Sequence, residues 1–154
     1  TRNDLGFDGD LRSDVAPIDS LIGLVLARHG DAVTAMKDPT RGGVASALAE
    51  MAKKSNVGVT LDERELPISA AVRGAAELVG IDPLIVANEG KALLGVAPES
   101  ADAILMTLRE HPLGRDARII GTCTADRPGK IVLDTGFGRR LLSEPEGEPI
   151  PRIC

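Results

Sequence analysis

An α/β fold, a mixed β-sheet with helices packed on it, is what this chain predicts, and three observations predict it. Apolar residues recur at helical spacing in four segments, with short alternating or continuous apolar runs between them. Glycine, proline or a helix-capping residue stands at most junctions. No segment repeats another, so one domain on one mixed sheet is the economical architecture for 154 residues.

The opening to Pro17 carries Asp4, Asp8, Asp10 and Asp14 with little periodicity and reads as loop or short edge strand. Asp19 is placed to cap a helix through Leu21, Ile22, Val25 and Leu26 that Gly30 stops. Residues 32–37 read as a short strand. Asp38-Pro39-Thr40-Arg41-Gly42-Gly43 follows and opens a second helix, whose apolar face is Val44, Leu48, Met51 and Ala52. Asn56 closes it ahead of a second strand at 57–61, where polarity alternates. Ser69 caps a third helix ending at Gly80. Asp82-Pro83-Leu84 then leads to Ala87-Asn88-Glu89-Gly90-Lys91 and a strand through Leu93, Leu94 and Val96. Ser100 starts a fourth helix, with Ile104, Leu105 and Leu108, that His111-Pro112 and Gly114 break. Two strands, 118–124 and 130–134, are expected as a hairpin about the turn 125–129, and 136–142 offers one more strand.

Composition narrows the function. With two Phe and no Trp or Tyr, the core must be aliphatic, and the stacking platforms of single-strand nucleic-acid binders are missing. A net charge of −5 argues further against a phosphate-backbone partner. A nucleotide needs only a few donors and a metal, and stays admissible. No apolar run approaches a membrane span, and no signal-peptide pattern opens the chain. Two cysteines make no disulfide scaffold, so a reducing cytosol is the expected compartment. Cys123, in Ile119-Ile120-Gly121-Thr122-Cys123-Thr124, is expected as a buried strand thiol. The chain begins Thr1-Arg2-Asn3-Asp4 without an initiator Met, which suggests a piece of something longer.

The last ten residues, Pro145-Glu146-Gly147-Glu148-Pro149-Ile150-Pro151-Arg152-Ile153-Cys154, hold three prolines and end on a thiol. Such a segment neither extends a helix nor joins a central strand, so it reads as an extended, solvated arm. At about 3.1 Å per residue it would carry the sulfur roughly 30 Å. A thiol on a mobile arm can visit several sites, as a covalently carried intermediate requires. A frayed terminus that happens to end in Cys has the same sequence.

Two internal stretches have the residue types of a site. In Asp38 to Gly43, a carboxylate at a strand's end precedes two glycines at a helix N-terminus, where free N–H groups and the helix dipole favour an anion. Arg41 can add a phosphate contact, and Asp38 can hold Mg²⁺. The stretch is not a Walker loop, because the terminal lysine and hydroxyl are missing. A turn in which Asp38 and Thr40 merely cap the helix accounts for the same letters. Asn88-Glu89-Gly90-Lys91 puts an amide, an acid and a base beside a glycine at the entrance to an apolar strand, as an active-site edge or an ordinary polar loop would. His29 and His111 form no metal pair in sequence and are expected as solvated helix-end residues. No Cys/His cluster has zinc spacing.

Asp38-Pro39-Thr40-Arg41-Gly42-Gly43, Val86-Ala87-Asn88-Glu89-Gly90-Lys91, His111-Pro112-Leu113-Gly114 and terminal Pro151-Arg152-Ile153-Cys154 occur here in one order. In that order they resemble the C-terminal half of the HypE family of hydrogenase maturation factors, nearly from end to end. The first stretch alone is similar to a wider superfamily that includes aminoimidazole ribonucleotide synthetase and selenophosphate synthetase. The Pro-Arg-Ile-Cys end makes the resemblance specific to HypE.

The resemblance implies a homodimer with an N-terminal ATP-binding domain, absent here. Residues 1–143 would be the C-terminal α/β domain and 144–154 a flexible arm. It implies that Cys154 is the carrier, receiving a carbamoyl group from HypF, and that ATP with Mg²⁺ drives its dehydration to a thiocyanate. The cyanide would pass to the iron of a [NiFe]-hydrogenase precursor on a HypC–HypD scaffold. Glu89 would be the base, Asp38 the metal ligand, and Thr40, Arg41, Gly42, Gly43 and Asn88 the nucleotide-binding residues. The fragment alone would be inactive. Two competing readings are a non-catalytic interaction domain whose arm docks to partners, and a superfamily synthetase or kinase acting on a diffusible substrate. The tail discriminates, because an enzyme with a diffusible substrate has no use for a terminal Cys on a proline-rich arm.

Overall fold

Helix ends fall where the sequence puts its left-handed and capping residues in the computed structural model of the chain, which describes residues 13–142. Helix α2 (Gly43–Ser55) stops at Asn56, in the left-handed region, whose N–H turns back to the carbonyls of Ala52 and Lys53. Helix α3 (Ala70–Val79) starts under Ser69, whose Oγ accepts the Val72 N–H at 3.2 Å, and stops at left-handed Gly80. Helix α4 (Ala101–Glu110) follows Ser100, which occupies the cap position without a side-chain bond. Helix α1 (Asp19–His29) differs from expectation at its start. Ile18 takes the cap position, and its carbonyl already accepts the Ile22 N–H at 2.9 Å. Asp19 is therefore the first helical residue, acting through its charge in the first turn and not through a capping bond.

The α/β class holds, but the six strands among the described residues form two sheets where one was expected. Strands β1 (Val33–Lys37) and β3 (Leu93–Val96) pair antiparallel, with Lys37 opposite Leu93. Neither strand has a fully buried residue, so the pair suits a two-stranded ribbon and not the middle of a larger sheet. The second sheet is mixed, in the order β4-β2-β5-β6, from Gly121–Thr124, Gly58–Asp62, Ile131–Asp134 and Arg139–Leu142.

The hairpin expected between β4 and β5 is not formed. Strand β2 lies between them, antiparallel to β4 and parallel to β5. Burial explains the order. Strands β2 and β5 carry the buried Val59, Leu61, Ile131, Val132 and Leu133 and take the centre, which leaves the polar Gly121-Thr122-Cys123-Thr124 at an edge. Cys123 is consequently exposed, not the buried thiol expected. The hairpin that does form joins β5 to β6.

Helix α2 lays Ala45, Leu48, Ala49 and Ala52 over Val59, Leu61, Ile131 and Leu133, and these are the centre of the core. The small alanines let the helix approach the sheet closely. Helices α1 and α4 pack as a separate pair, Leu21 and Val25 with Ile104 being buried. Arg28 Nη1 donates to Glu110 Oε2 at 2.6 Å. His29 Nε2 pairs with the buried Thr107 hydroxyl at 2.9 Å, and His111 Nε2 pairs with Ser20 Oγ at 3.2 Å. The two histidines thus stand at helix ends as expected, but they tie α1 to α4 and are half-buried instead of merely solvated. No helix among the described residues is long and apolar enough to cross a membrane.

Candidate functional site

Strand β1 delivers Asp38 directly to the loop that opens α2. Lys37, the last strand residue, is tied to that helix by a 2.8 Å ion pair with Glu50. Lys54 adds a second pair at 2.6 Å, and Lys37 with Lys54 holds the Glu50 carboxyl down to about 2. Pro39 is buried, while Asp38 and Arg41 are exposed. Gly42 and Gly43 both take positive φ, 63° and 62°, and no side chain caps the helix. The capping role open to Asp38 and Thr40 is therefore not the one they play. The first N–H groups of α2 receive no side-chain cap among the described residues.

The Asn88 loop sits against this one through backbone contacts. The Asn88 N–H donates to the Pro39 carbonyl at 3.0 Å. Gly43 faces the carbonyls of Leu84 and Val86 so closely that a Cβ there would fall 2.5 Å from each oxygen. The Asn88 amide turns inward, its Nδ2 donating to the Val86 carbonyl at 2.7 Å. At its start the segment is fixed by Asp82, which accepts the Leu84 N–H at 2.9 Å and pairs with Arg140 of β6 at 2.9 Å.

A third segment closes the arrangement. Asp14 accepts both the Glu89 N–H, at 2.9 Å, and the Lys91 ammonium, at 3.1 Å, on one carboxylate oxygen. Burial pushes the Asp14 carboxyl up, but those donors together outweigh it and hold the group below its ordinary value. Gly90, at φ 61°, lies on the backbone of this segment, where a Cβ would fall 2.3 Å from the Asp14 carbonyl oxygen and 2.4 Å from the Ala16 nitrogen.

Asp38, Thr40, Arg41, Gly42, Gly43, Asn88 and Glu89 are thus brought onto two adjoining loops. The side chains of Asp38, Thr40, Arg41 and Glu89 make no hydrogen bond or ion pair among the described residues. An exposed carboxylate, an exposed guanidinium and uncapped helix N–H groups fit a nucleotide's phosphates, and one carboxylate suffices for a Mg²⁺ that shares the phosphate oxygens. No cluster of three or more metal-ligating side chains exists among the described residues. Cys154 and the arm at 144–154 lie outside the described residues. Sequence reasoning missed Asp14, one of four aspartates in an aperiodic opening, and only Gly90 hinted that something approaches that loop.

Residues 2–134 match the family described as AIR synthase related protein, C-terminal domain, and the chain belongs to that family. Along its full length it is also similar to HypE proteins. It is 49% identical to a hydrogenase expression/formation protein of Methanocaldococcus jannaschii, covering 100% of this chain and 45% of that protein. To the carbamoyl dehydratase HypE of Bradyrhizobium diazoefficiens it is 44% identical, covering 99% and 44%. The chain spans less than half the length of these relatives. Among solved structures, the hydrogenase maturation protein HypE superposes with a TM-score of 0.89 at 38% identity, over 99% of this chain and 50% of that one. HypE in complex with ATP gives 0.86 at 36% identity, over 96% and 46%. A HypE–HypF complex gives 0.86 at 39% identity, over 94% and 47%.

Proposed function

We propose that this chain is the C-terminal domain of a longer, homodimeric cytoplasmic protein that matures [NiFe]-hydrogenase, with residues 1–143 as the α/β domain and 144–154 as the segment that carries Cys154. The reaction is ATP-dependent dehydration of an S-carbamoyl group on Cys154 to a thiocyanate. HypF loads the cysteine, and the cyanide passes to iron on a HypC–HypD scaffold. One observation carries this reading: the Asn88–Pro39 contact seats the Glu89 loop on the Asp38 loop. The setting supports it, for the chain is similar from end to end to proteins named carbamoyl dehydratase HypE. The relatives' complexes with ATP and with HypF support the nucleotide and the carbamoyl donor.

An amide oxygen is a poor leaving group, and ATP with Mg²⁺ supplies the phosphoryl group that makes it a good one. Asp38 would hold the cation, while Arg41 and the first N–H groups of α2 would orient the phosphates, with Thr40, Gly42 and Gly43 beside them; the Asn88 amide, bonded to the Val86 carbonyl, fixes the loop instead. Phosphoryl transfer to the amide oxygen releases ADP and one N–H proton to solvent, leaving a single hydrogen on the carbamoyl nitrogen. Glu89 accepts that remaining proton as the C≡N bond forms and the C–O bond breaks, with the oxygen leaving as phosphate. Its carboxylate has no partner among the described residues, which leaves both oxygens available to a proton. The sulfur is a good leaving group, so the carrier can later surrender cyanide to a metal.

Mass spectrometry of Cys154 in the full-length protein, incubated with HypF, its carbamoyl substrate and ATP, tests this. Wild type should gain a carbamoyl group and then lose one water. Glu89→Gln should keep the carbamoyl adduct, with dehydration slowed by roughly 10²–10⁴-fold. Normal thiocyanate formation in that variant would return Glu89 to an ordinary loop residue, and no adduct on Cys154 in wild type would remove the carrier.

A further inference from the structure

We propose that Asp14 is the positioning residue for Glu89: one carboxylate oxygen anchors the Glu89 backbone and, in the same contact, holds Lys91 away from the Glu89 side chain. The inference rests on the assignment of Glu89 as the proton acceptor. Three observations carry it. Glu89 is pinned at two successive N–H groups, its own bonded to Asp14 at 2.9 Å and that of Asn88 bonded to Pro39 at 3.0 Å. Its place relative to Asp38 is therefore set by the backbone and costs the Glu89 side chain nothing. Gly90 lies against Asp14 and Ala16 with no space for a Cβ, so the clamp is a packed backbone contact and not a single surface bond.

The third observation concerns charge. Lys91 stands two residues from Glu89, and its ammonium is engaged by Asp14 at 3.1 Å. A carboxylate paired to a neighbouring ammonium is a poor proton acceptor, because the pair stabilises its charged form. By engaging Lys91 itself, Asp14 leaves Glu89 unpaired among the described residues. The sequence separation of 75 residues between Asp14 and Glu89 means that this contact exists only in the folded domain.

The two functions of Asp14 separate by substitution in the full-length protein. Asp14→Ala loses both the backbone anchor and the counter-charge. Asp14→Asn keeps an acceptor for the Glu89 N–H but frees Lys91. The expected result for Asp14→Ala is a kcat for dehydration lower by about 10–100-fold, the usual penalty for a misplaced group. KM for ATP should stay within about twofold, because ground-state binding is untouched. Loading of Cys154 by HypF should be normal. Asp14→Asn should fall less, and adding Lys91→Met should restore much of what it lost, because the freed ammonium is then gone.

Asp14→Ala at the wild-type rate overturns the proposal. So does a parallel fall of kcat, ATP affinity, Cys154 loading and melting temperature, which marks a purely structural residue. Failure of Lys91→Met to rescue Asp14→Asn overturns the charge half. Glu89→Gln, run alongside, separates the two levels: if it dehydrates normally, the assignment of Glu89 fails. If Glu89→Gln is blocked while Asp14→Ala is not, only the positioning role fails.

Discussion

Gly43→Ala should damage both stability and the site, and the structure sets the size of the effect. Position 43 has φ +62°, and an added Cβ would lie 2.5 Å from the Leu84 and Val86 oxygens and 2.9 Å from the Ile85 carbonyl carbon. All three neighbours are backbone, so no side chain can rotate out of the way. Holding alanine in the left-handed region costs roughly 1–2 kcal/mol. Opening the contact between α2 and the segment at 84–86 is overpacking, at roughly 1–3 kcal/mol. The sum, roughly 2–5 kcal/mol, is large for one methyl group. At about 2–4 °C per kcal/mol for a domain of this size, melting should drop by roughly 4–20 °C. Gly74→Ala is the internal control: nothing lies within 4 Å of its Cβ, and it sits inside α3. Alanine there should add about 0.5–1 kcal/mol through helix propensity. Differential scanning calorimetry of both variants is the assay. A Gly43→Ala protein melting with wild type would refute the close approach of the two loops, and with it the architecture of the site.

Glu50 makes a pH prediction. Its carboxyl lies near 2 in the folded protein against 4.5 ordinarily, so its stabilising contribution is complete above the higher value and disappears as pH falls through the lower one. Glu50→Gln should flatten the acid limb of melting temperature against pH over that interval, and added salt should shrink the difference because the group is exposed. Asp38→Asn should weaken Mg²⁺-ATP use with little change in melting temperature, since the exposed carboxylate holds nothing in place among the described residues; a large loss of stability with ATP turnover per folded molecule unchanged would make Asp38 structural. Cys154→Ser should abolish thiocyanate formation with the fold intact, because a hydroxyl is a poorer nucleophile and leaving group than a thiolate. Residues appended after Cys154 should slow dehydration if the tip must enter a narrow channel, and an untouched rate in a tagged protein would leave only the thiol to matter.

What the sequence made legible was local. Asn56 and Gly80 announced their helix ends because a left-handed stop needs those residue types wherever it occurs. Ser69 announced a start for the same reason. The two site loops could be read because carboxylate, arginine and paired glycines at a strand–helix junction have a chemical meaning independent of the rest of the fold. Strand order was not legible. The peptide from 125 to 129 looks like a hairpin turn, and only the demand to bury β2 and β5 inserts β2 between β4 and β5. Cys123 was misjudged for that reason, since its exposure depends on which strand takes the edge. Asp14 was invisible because its partners lie 75 and 77 residues away.

The residues that hold this site and the residues available for chemistry are different ones, and the division has a physical cause. A polar atom already bonded in fixing a loop is not free to bind a ligand or take a proton. Here the fixing is done by Asp14, by Asp82, by the inward-turned Asn88 amide and by backbone bonds such as Asn88 to Pro39. Asp38, Thr40, Arg41 and Glu89 are carried along with their polar atoms uncommitted among the described residues. Glycine is what makes this possible, because loops joined backbone to backbone have no space for a Cβ at the contact. Gly43 and Gly90 stand at the two such contacts, one on each site loop. A glycine inside a polar motif is therefore worth testing as a mark of where another segment lands, and at Gly90 that segment carries Asp14.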